Sequence, residues 1–174
     1  MKFNYYAFRA MYLHEMDRFK RTLMQSLFSP VLSTSLYFIV FGSVIGGYVE
    51  KIDGISYGSF IVPGLLMLTL LTQSISNTSF GIFFPKFNGT MYEILAAPIS
   101  TFEIVLAFVG AGATKTLLVG VVIFITATFF VEVQVMYPLL MIFLLVLVAF
   151  TFALFGFLIG LMSSNFEQMS IVPT

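Results

Sequence analysis

The sequence contains no cysteine, no tryptophan and a single histidine, His14. Without cysteine the chain cannot form disulfides, a thiolate nucleophile or a cysteine-ligated metal site. Charge is also scarce, because Asp, Glu, Lys and Arg make up only 9% of the sequence, whereas soluble domains carry about 25%. The net charge is zero, so the chain has no basic domain that could neutralise the phosphates of a nucleic acid. We therefore expect no nucleic-acid partner.

Hydrophobic residues, by contrast, make up 59% of the 174 residues, and the mean hydropathy is +1.03. Four long stretches contain no charge except Lys115, and each exceeds the roughly 20 residues that a helix needs to cross a bilayer. The sequence therefore predicts an all-α membrane protein, with a cytoplasmic or interfacial segment at residues 1–28 and a transmembrane domain at residues 29–174. The predicted spans are residues 30–49, 59–80, 112–131 and 138–162, and a fifth begins at residues 169–174.

Apolar residues recur at helical spacing before the first span, with charged residues between them. This pattern predicts an amphipathic helix on the membrane surface. The helix either anchors the protein in a fixed orientation or contacts a partner, and the two roles are compatible. The apolar residues are Phe8, Tyr12, Met16, Phe19 and Leu23.

Lysine and arginine are unevenly distributed between the two ends of the predicted spans. Five lie in residues 1–21 and Lys86 follows the second span, whereas the opposite side has only Lys51. The positive-inside rule then places the N-terminus and residues 81–103 in the cytoplasm. We therefore expect a multi-pass protein of the cell (inner) membrane with a cytoplasmic N-terminus.

Two kinds of local motif indicate how the spans begin and pack. Ser29-Pro30 is typical of a helix start, with serine as the N-cap and proline at the first helical position. Two glycines four residues apart allow a second helix to approach closely, and two such pairs occur. They are Gly42 with Gly46 in the first span and Gly156 with Gly160 in the fourth.

The second span carries a polar face at its inner end. Polar side chains are costly in hydrocarbon unless they are paired or hydrated, so this face should point toward protein or a water-filled cavity. It is predicted either to hydrogen-bond to neighbouring helices or to line a transport path. Its members are Thr69, Thr72, Gln73 and Ser76, with Asn77 beside them.

Lys115 is the one charged residue of the predicted third span. A cation at the bilayer centre costs at least about 2.5 to 3.5 kcal/mol. The stretch from Thr116 to Val131 gives about 24 Å of helix, and a snorkelling lysine stem covers much of the remaining thickness. We therefore expect Lys115 at the inner interface, with residues 101–114 partly in the cytoplasm or among the lipid headgroups.

The connection between the second and third spans contains two helix-start motifs of the capping-box type, in which a hydroxyl and a carboxylate accept from free N–H groups. Pro98 ends the first of the two helices and leaves it about 10 Å long, too short to cross the membrane. Residues 90–97 are therefore predicted to form a short cytoplasmic helix. It is either a lever that passes force from a partner to both spans or an ordinary capped turn. The motifs are Thr90-x-x-Glu93 and Ser100-x-x-Glu103.

Four stretches of the sequence match a known pattern: Ser29-Pro30, residues 60–67, residues 86–100 and residues 166–174. In these stretches the sequence resembles the membrane-permease subunits of ABC-type-2 transporters, which export drugs, polysaccharides and lipids. The resemblance implies an interfacial N-terminal helix, six spans, a coupling helix between the second and third spans, and a dimeric pore driven by separate ATP-binding cassette subunits. It implies a permease subunit that forms the translocation path, is not itself catalytic, and works as a homodimer or paired with another permease.

The resemblance also assigns roles within the connection. Residues 90–97 would be the coupling helix, inside a segment 86–103 that receives the action of the ATPase. Tyr92 departs from the family pattern, which often has an acidic residue there, and Lys115 stands where arginine is commoner. Because relatives continue through two more spans, we expect the chain to be a truncated product or a partial sequence. The candidate coupling residues are Lys86, Phe87, Gly89, Thr90, Glu93, Leu95, Pro98 and Glu103.

Other functions stay open alongside an exporter. Ion-coupled carriers usually place carboxylates or histidine inside the membrane, whereas His14 and all eight acidic residues lie outside the predicted spans. The glycine pairs and the missing C-terminal spans favour a non-transporting membrane-assembly protein. An enzyme is disfavoured, because no paired carboxylates converge in the spans. Residues 110–116 are not a P-loop, since Thr114 replaces its glycine, and we expect no cofactor or metal.

Overall fold

A computed structural model describes residues 3–45, 56–131, 133 and 135–171. Within these residues the regular structure is helical and no strand occurs. Four helices are long and apolar enough to cross a membrane: α3, α5, α6 and the stretch Leu23–Phe41, which joins α2 to the π-helical turns that follow it. The predicted all-α membrane fold is confirmed. The helices are α1 Tyr5–Arg21, α2 Leu23–Tyr37 continued by a π-helical segment Phe38–Ile45, α3 Tyr57–Phe87, α4 Thr90–Ala96, α5 Thr101–Phe130, α6 Pro138–Met162 and α7 Phe166–Ile171.

The spans differ in how closely they follow the predicted bounds. Helix α6 begins at Pro138 and ends at Met162, as the sequence predicts. Helices α3 and α5 contain 31 and 30 residues, so each is about 45 Å long and exceeds a hydrocarbon thickness of about 30 Å. The two helices are therefore longer than a straight crossing of the bilayer requires, and the short connection that contains α4 joins the end of α3 to the start of α5.

The first span begins earlier than predicted. Helix α2 starts at Leu23 and contains Pro30 in its interior, so the interpretation of Ser29-Pro30 as a helix start is wrong. The helix is interrupted instead at Thr22, between α1 and α2, where a φ of −105° and a ψ of 16° are not helical. Proline is tolerated inside membrane helices, because neighbouring groups satisfy the freed backbone. The carbonyl that Pro30 leaves without its helical donor is that of Ser26, whereas the hydroxyl of Thr34 donates to the carbonyl of Pro30 itself at 2.7 Å.

Helix α1 packs lengthwise along α5. The backbone N–H of Asn4 donates to the carboxylate of Glu103 near the start of α5, and Phe19 packs against Val119 farther along. The predicted apolar face is partly reproduced, since Phe19 is buried, but Glu15 is buried as well. The helix therefore turns one carboxylate toward α5, and its place at the membrane surface stays a prediction.

Helix α3 packs against both α5 and α6, which also pack against each other. A Cβ atom placed on Gly156 would lie 2.5 Å from the carbonyl oxygen of Ile75, and one placed on Gly160 would lie 2.5 Å from that of Ser79. The two glycines of α6 thus sit directly on the backbone of α3, which is the geometry that small residues permit. Of the other predicted pair, Gly42 falls in the π-helical segment, while Gly46 lies outside the described residues.

Candidate functional site

The turn between α3 and α4 is built on Gly89, which has a φ of +79°. This left-handed conformation favours glycine because it has no Cβ. Gly89 also occupies the cap position of α4, and no side chain caps that helix. The predicted capping box of Thr90 and Glu93 is therefore wrong, since Thr90 is already the first helical residue and its hydroxyl lies past the cap.

The second predicted capping box, at the start of α5, is confirmed. The hydroxyl of Ser100 accepts from the backbone N–H of Glu103 at 3.3 Å. In return, the carboxylate of Glu103 accepts from the N–H of Ser100 at 2.8 Å. Between the two starts, α4 ends at Ala96, and Ala97 takes an extended conformation with ψ of 152°, as expected for the residue before Pro98.

Helix α4 has one packed face and one open face. Met91 and Ile94 pack against the main hydrophobic core of α3, α5 and α6. On the other side Tyr92 is 79% exposed and Leu95 is 62% exposed, and Glu93 is exposed too. A tyrosine and a leucine left open on a helix of seven residues form an apolar surface without a partner in the described part of the chain.

Lys86 links the end of α3 to the end of α6. Its Nζ donates to the carbonyl oxygens of Leu161 at 2.7 Å and Ser163 at 2.9 Å. Phe87 supports this link, with its ring centroid 5.0 Å from that of Phe166 on α7. A cation at the last carbonyls of a helix satisfies free acceptors and interacts favourably with the helix dipole. Lys86 is thus engaged within the chain.

Replacing Lys86 with methionine is expected to loosen the end of α6 by about 1 kcal/mol, because two charge-assisted hydrogen bonds in a solvent-exposed setting are lost. Amide hydrogen exchange of the α6 terminus, followed by mass spectrometry, should accelerate about fivefold. Lys20→Met is the matched control, since within the described residues the side chain of Lys20 bonds only to the exposed Asp17. Equal exchange at residues 161–166 in both variants would contradict the capping role.

Glu103 is buried, with 2% of its surface exposed. Its carboxylate accepts from the N–H groups of Asn4 and Ser100, which belong to the start of α1 and the start of α5. The sequence predicts a coupling role for Glu103. In the structure it is placed to hold α1 and the connection together rather than to contact a second protein.

Lys115 does not extend its side chain toward solvent, so the expected snorkelling is wrong, whereas its place at the inner interface stays a prediction. Its Nζ lies 2.8 Å from a carboxylate oxygen of Glu15 on α1, and both side chains are 4% exposed. Arg18 contacts the same oxygen at 2.8 Å and lies over the ring of Phe80 at 5.4 Å. The counter-ion comes from α1, so the cation does not need to reach the headgroups.

Sequence reasoning missed Glu15, although a signal was present. Glu15 follows Tyr12 by three residues and precedes Phe19 by four, so it shares their face of the helix. A carboxylate among apolar residues on one face needs a cation or a hydrogen-bond donor on the opposing helix. Lys115, alone in its span, was the candidate partner.

The side-chain hydrogen bonds observed for the predicted polar face of α3 all lie within that helix. The hydroxyls of Thr69 and Thr72 donate to the carbonyls of Leu65 and Leu68 at 2.8 and 3.0 Å. The side chain of Asn77 donates to that of Gln73 at 3.4 Å, and all five predicted residues are only partly buried.

The fully buried polar residues of α3 are instead Ser74, Thr78 and Ser79. They lie on the face turned toward the neighbouring helices. A Cβ atom on Gly112 of α5 would lie 2.0 Å from the Thr78 hydroxyl. Ser76 and Asn77, farther round the helix, line a cavity of about 490 Å³.

Comparison with known proteins decides the family. Residues 6–174 match the ABC-2 type transporter family. The chain belongs to this family. It is similar to the inner membrane transport permease YadH of Escherichia coli K12, with 38% identity over 168 residues, which make up 97% of this chain and 66% of that protein. The Shigella flexneri protein of the same name gives the same values. The chain of this ABC-2 family member therefore spans 66% of the length of the curated relatives it matches, and no solved structure matches it.

Proposed function

We propose that this chain forms the membrane-spanning permease subunit of an ATP-driven exporter in the inner membrane, with its N-terminus in the cytoplasm. A separate ATP-binding cassette subunit would act on it through residues 86–103, and a second permease copy or a related permease would complete the translocation path. The observation that carries the proposal is the open face of α4, because Tyr92 and Leu95 leave an apolar surface on a short helix between two long ones.

The connections of α4 suit a lever. Helix α3 ends at Phe87 and α4 starts at Thr90, so only two residues separate them, and one is the constrained Gly89. On the other side Pro98 and the capping box fix the entry into α5. Such short connections allow α4 little independent movement, and a force on α4 would therefore be transmitted to both long helices.

Two further contacts would transmit such a force to the other helices. Lys86 ties the end of α3 to the end of α6, and Glu103 ties the start of α5 to Asn4 before α1. Direct hydrogen bonds thus join α3 to α6 and α5 to the segment before α1, at the side that we propose to be cytoplasmic. A force applied at one short helix would move the bundle as a whole, as alternating exposure of a transport path requires.

The test uses the full-length protein with a candidate ATP-binding subunit. Tyr92→Ser combined with Leu95→Ser removes the open apolar face without touching the packed face, and we expect about tenfold weaker co-purification of the ATPase and loss of coupled ATP hydrolysis. Replacing residues 90–97 with a flexible linker should abolish coupling.

The matched control is Leu139→Ser, because Leu139 is 83% exposed at the other end of the bundle. It should leave ATPase binding and coupled hydrolysis unchanged. If the linker variant kept full coupled ATP hydrolysis, the proposed contact would be wrong. Uptake or efflux that follows an ion gradient without ATP would instead support a carrier.

A further inference from the structure

A cavity of about 490 Å³ lies where the corner between α1 and α2 meets the inner half of α3. Its volume is within the range of small-ligand sites. The polar part of its wall contains hydroxyl, amide and cationic groups, supplied by the four helices α1, α2, α3 and α5 and by the corner itself. These groups include Arg18, Thr22, Gln25, Ser76, Asn77 and Lys115.

The charges beside this cavity do not cancel. Glu15 is shared by Lys115 and Arg18, each at 2.8 Å, so one carboxylate faces two cations and one positive charge is left over. No acidic side chain occurs among the described residues that line the cavity. A cation that is only partly hydrated is stabilised by a counter-ion; the Arg18 side chain is 25% exposed, and the cavity is the open space next to this excess charge.

The remaining wall of the cavity is apolar and comes from Phe19, Phe80 and Met169. Lys115 precedes the outer end of α5 at Phe130 by about 22 Å of helix, which is less than the hydrocarbon thickness of about 30 Å. The cavity therefore lies toward the inner leaflet. An anion at this depth binds more tightly if it carries a hydrophobic part, because the wall offers apolar contact next to the cations.

We propose that this cavity binds the phosphate headgroup of an anionic phospholipid from the inner leaflet. The guanidinium of Arg18 suits a phosphate, because its planar donors can form two parallel hydrogen bonds. The hydroxyls and amides of the wall are additional donors, and Phe80 keeps Arg18 in place. This lipid site rests on the proposed orientation, with the N-terminus in the cytoplasm, but it does not depend on transport and needs no ATP-binding subunit.

The test is native mass spectrometry of the detergent-solubilised full-length protein, titrated separately with phosphatidylglycerol, phosphatidylcholine and inorganic phosphate. We expect phosphatidylglycerol to bind at least tenfold more tightly than either of the others. Arg18→Gln should weaken phosphatidylglycerol binding about tenfold, because one charge-assisted contact is lost. The buried pair of Glu15 and Lys115 stays intact in this variant, so the thermal midpoint should change little.

Two further variants make the result specific. Asn77→Leu removes an amide donor from the wall and narrows the cavity without changing charge, and it should also weaken phosphatidylglycerol binding. Lys20→Gln is the charge-matched control, because Lys20 lies on the opposite face of α1 from Arg18 and is not part of the cavity wall. If Arg18→Gln and Lys20→Gln weakened phosphatidylglycerol binding equally, the effect would come from general surface charge, and the proposed site would be wrong. Phosphate binding as tight as phosphatidylglycerol binding would overturn the assignment to a lipid.

Discussion

Replacing Glu15 with leucine is expected to destabilise the protein by about 3 to 5 kcal/mol, which corresponds to a fall in thermal midpoint on the order of 10 °C. Glu15 is the only acidic partner of both Lys115 and Arg18 among the ion pairs of the described residues. Without it Lys115, with a side chain 4% exposed, is a buried cation with no counter-ion. Thermal unfolding of the solubilised protein, followed by fluorescence or by loss of the monodisperse peak, measures the effect.

The same geometry predicts an asymmetry between the two partners. Lys115→Leu should cost much less than Glu15→Leu, because Glu15 keeps its contact with Arg18 at 2.8 Å. The double variant should be close to the wild type in stability, since hydrophobic replacement of both members of a buried pair is often neutral. Arg18, with a side chain 25% exposed, can then reach water. The second substitution thus rescues the first.

The exposed pair of Asp17 and Lys20 is the control on the same helix. Its side chains are 57% and 66% exposed at a separation of 3.0 Å, and exposed pairs contribute about 0 to 1 kcal/mol. Asp17→Leu should therefore shift the midpoint by only a degree or two. If Glu15→Leu were no more harmful than Asp17→Leu, or if Lys115→Leu failed to rescue it, the buried pair would not be what fixes α1 to α5.

How much of this fold follows from the sequence depends on whether the determining forces are local or distant. The bounds of α6 were predictable because Pro138 starts an uninterrupted apolar run that ends at Met162, and hydrophobicity over 25 residues leaves no competing interpretation. The capping box at Ser100 was predictable for the same reason, since its two partners are three residues apart.

The wrong predictions arose where two local interpretations compete. Ser29-Pro30 fits a helix start as well as a helix interior, and the break at Thr22 decides between them. Thr90 fits a cap, but the preceding Gly89 adopts the left-handed conformation and takes that position. In each case a neighbouring residue determines where the helix begins, and the motif taken alone does not contain that information.

The site was only partly predictable, because its contacts join residues far apart in the chain. Lys115 pairs with a residue 100 positions away, and Lys86 binds carbonyls 75 and 77 positions away. A pattern along one helix shows that a polar group needs a partner, but which helix supplies the partner depends on the packing. The short helix α4, predicted at residues 90–97 and observed at Thr90–Ala96, could by contrast be predicted from Pro98 and the length between the two spans.

Gly156→Ala is expected to destabilise the protein by about 1 to 3 kcal/mol, the usual cost of overpacking, although alanine favours a helix over glycine by about 1 kcal/mol. The added Cβ would lie 2.5 Å from the Ile75 carbonyl oxygen and 2.9 Å from the Ile75 Cα. Both are backbone atoms, so no rotamer change can relieve the overlap and α6 must move away from α3. Gly156→Leu should be worse still.

Gly64→Ala makes the same chemical change where a Cβ meets nothing within 4 Å. This variant should be neutral or slightly stabilising, because only the helix preference of alanine acts. If the same substitution lowers stability at Gly156 and does not at Gly64, the loss comes from close helix packing and not from a general effect of replacing glycine in a membrane helix. Thermal midpoints that fell equally in both variants would contradict the packing of α6 on α3. A fall at Gly156 alone would show that α6 packs directly on the backbone of α3 at this position.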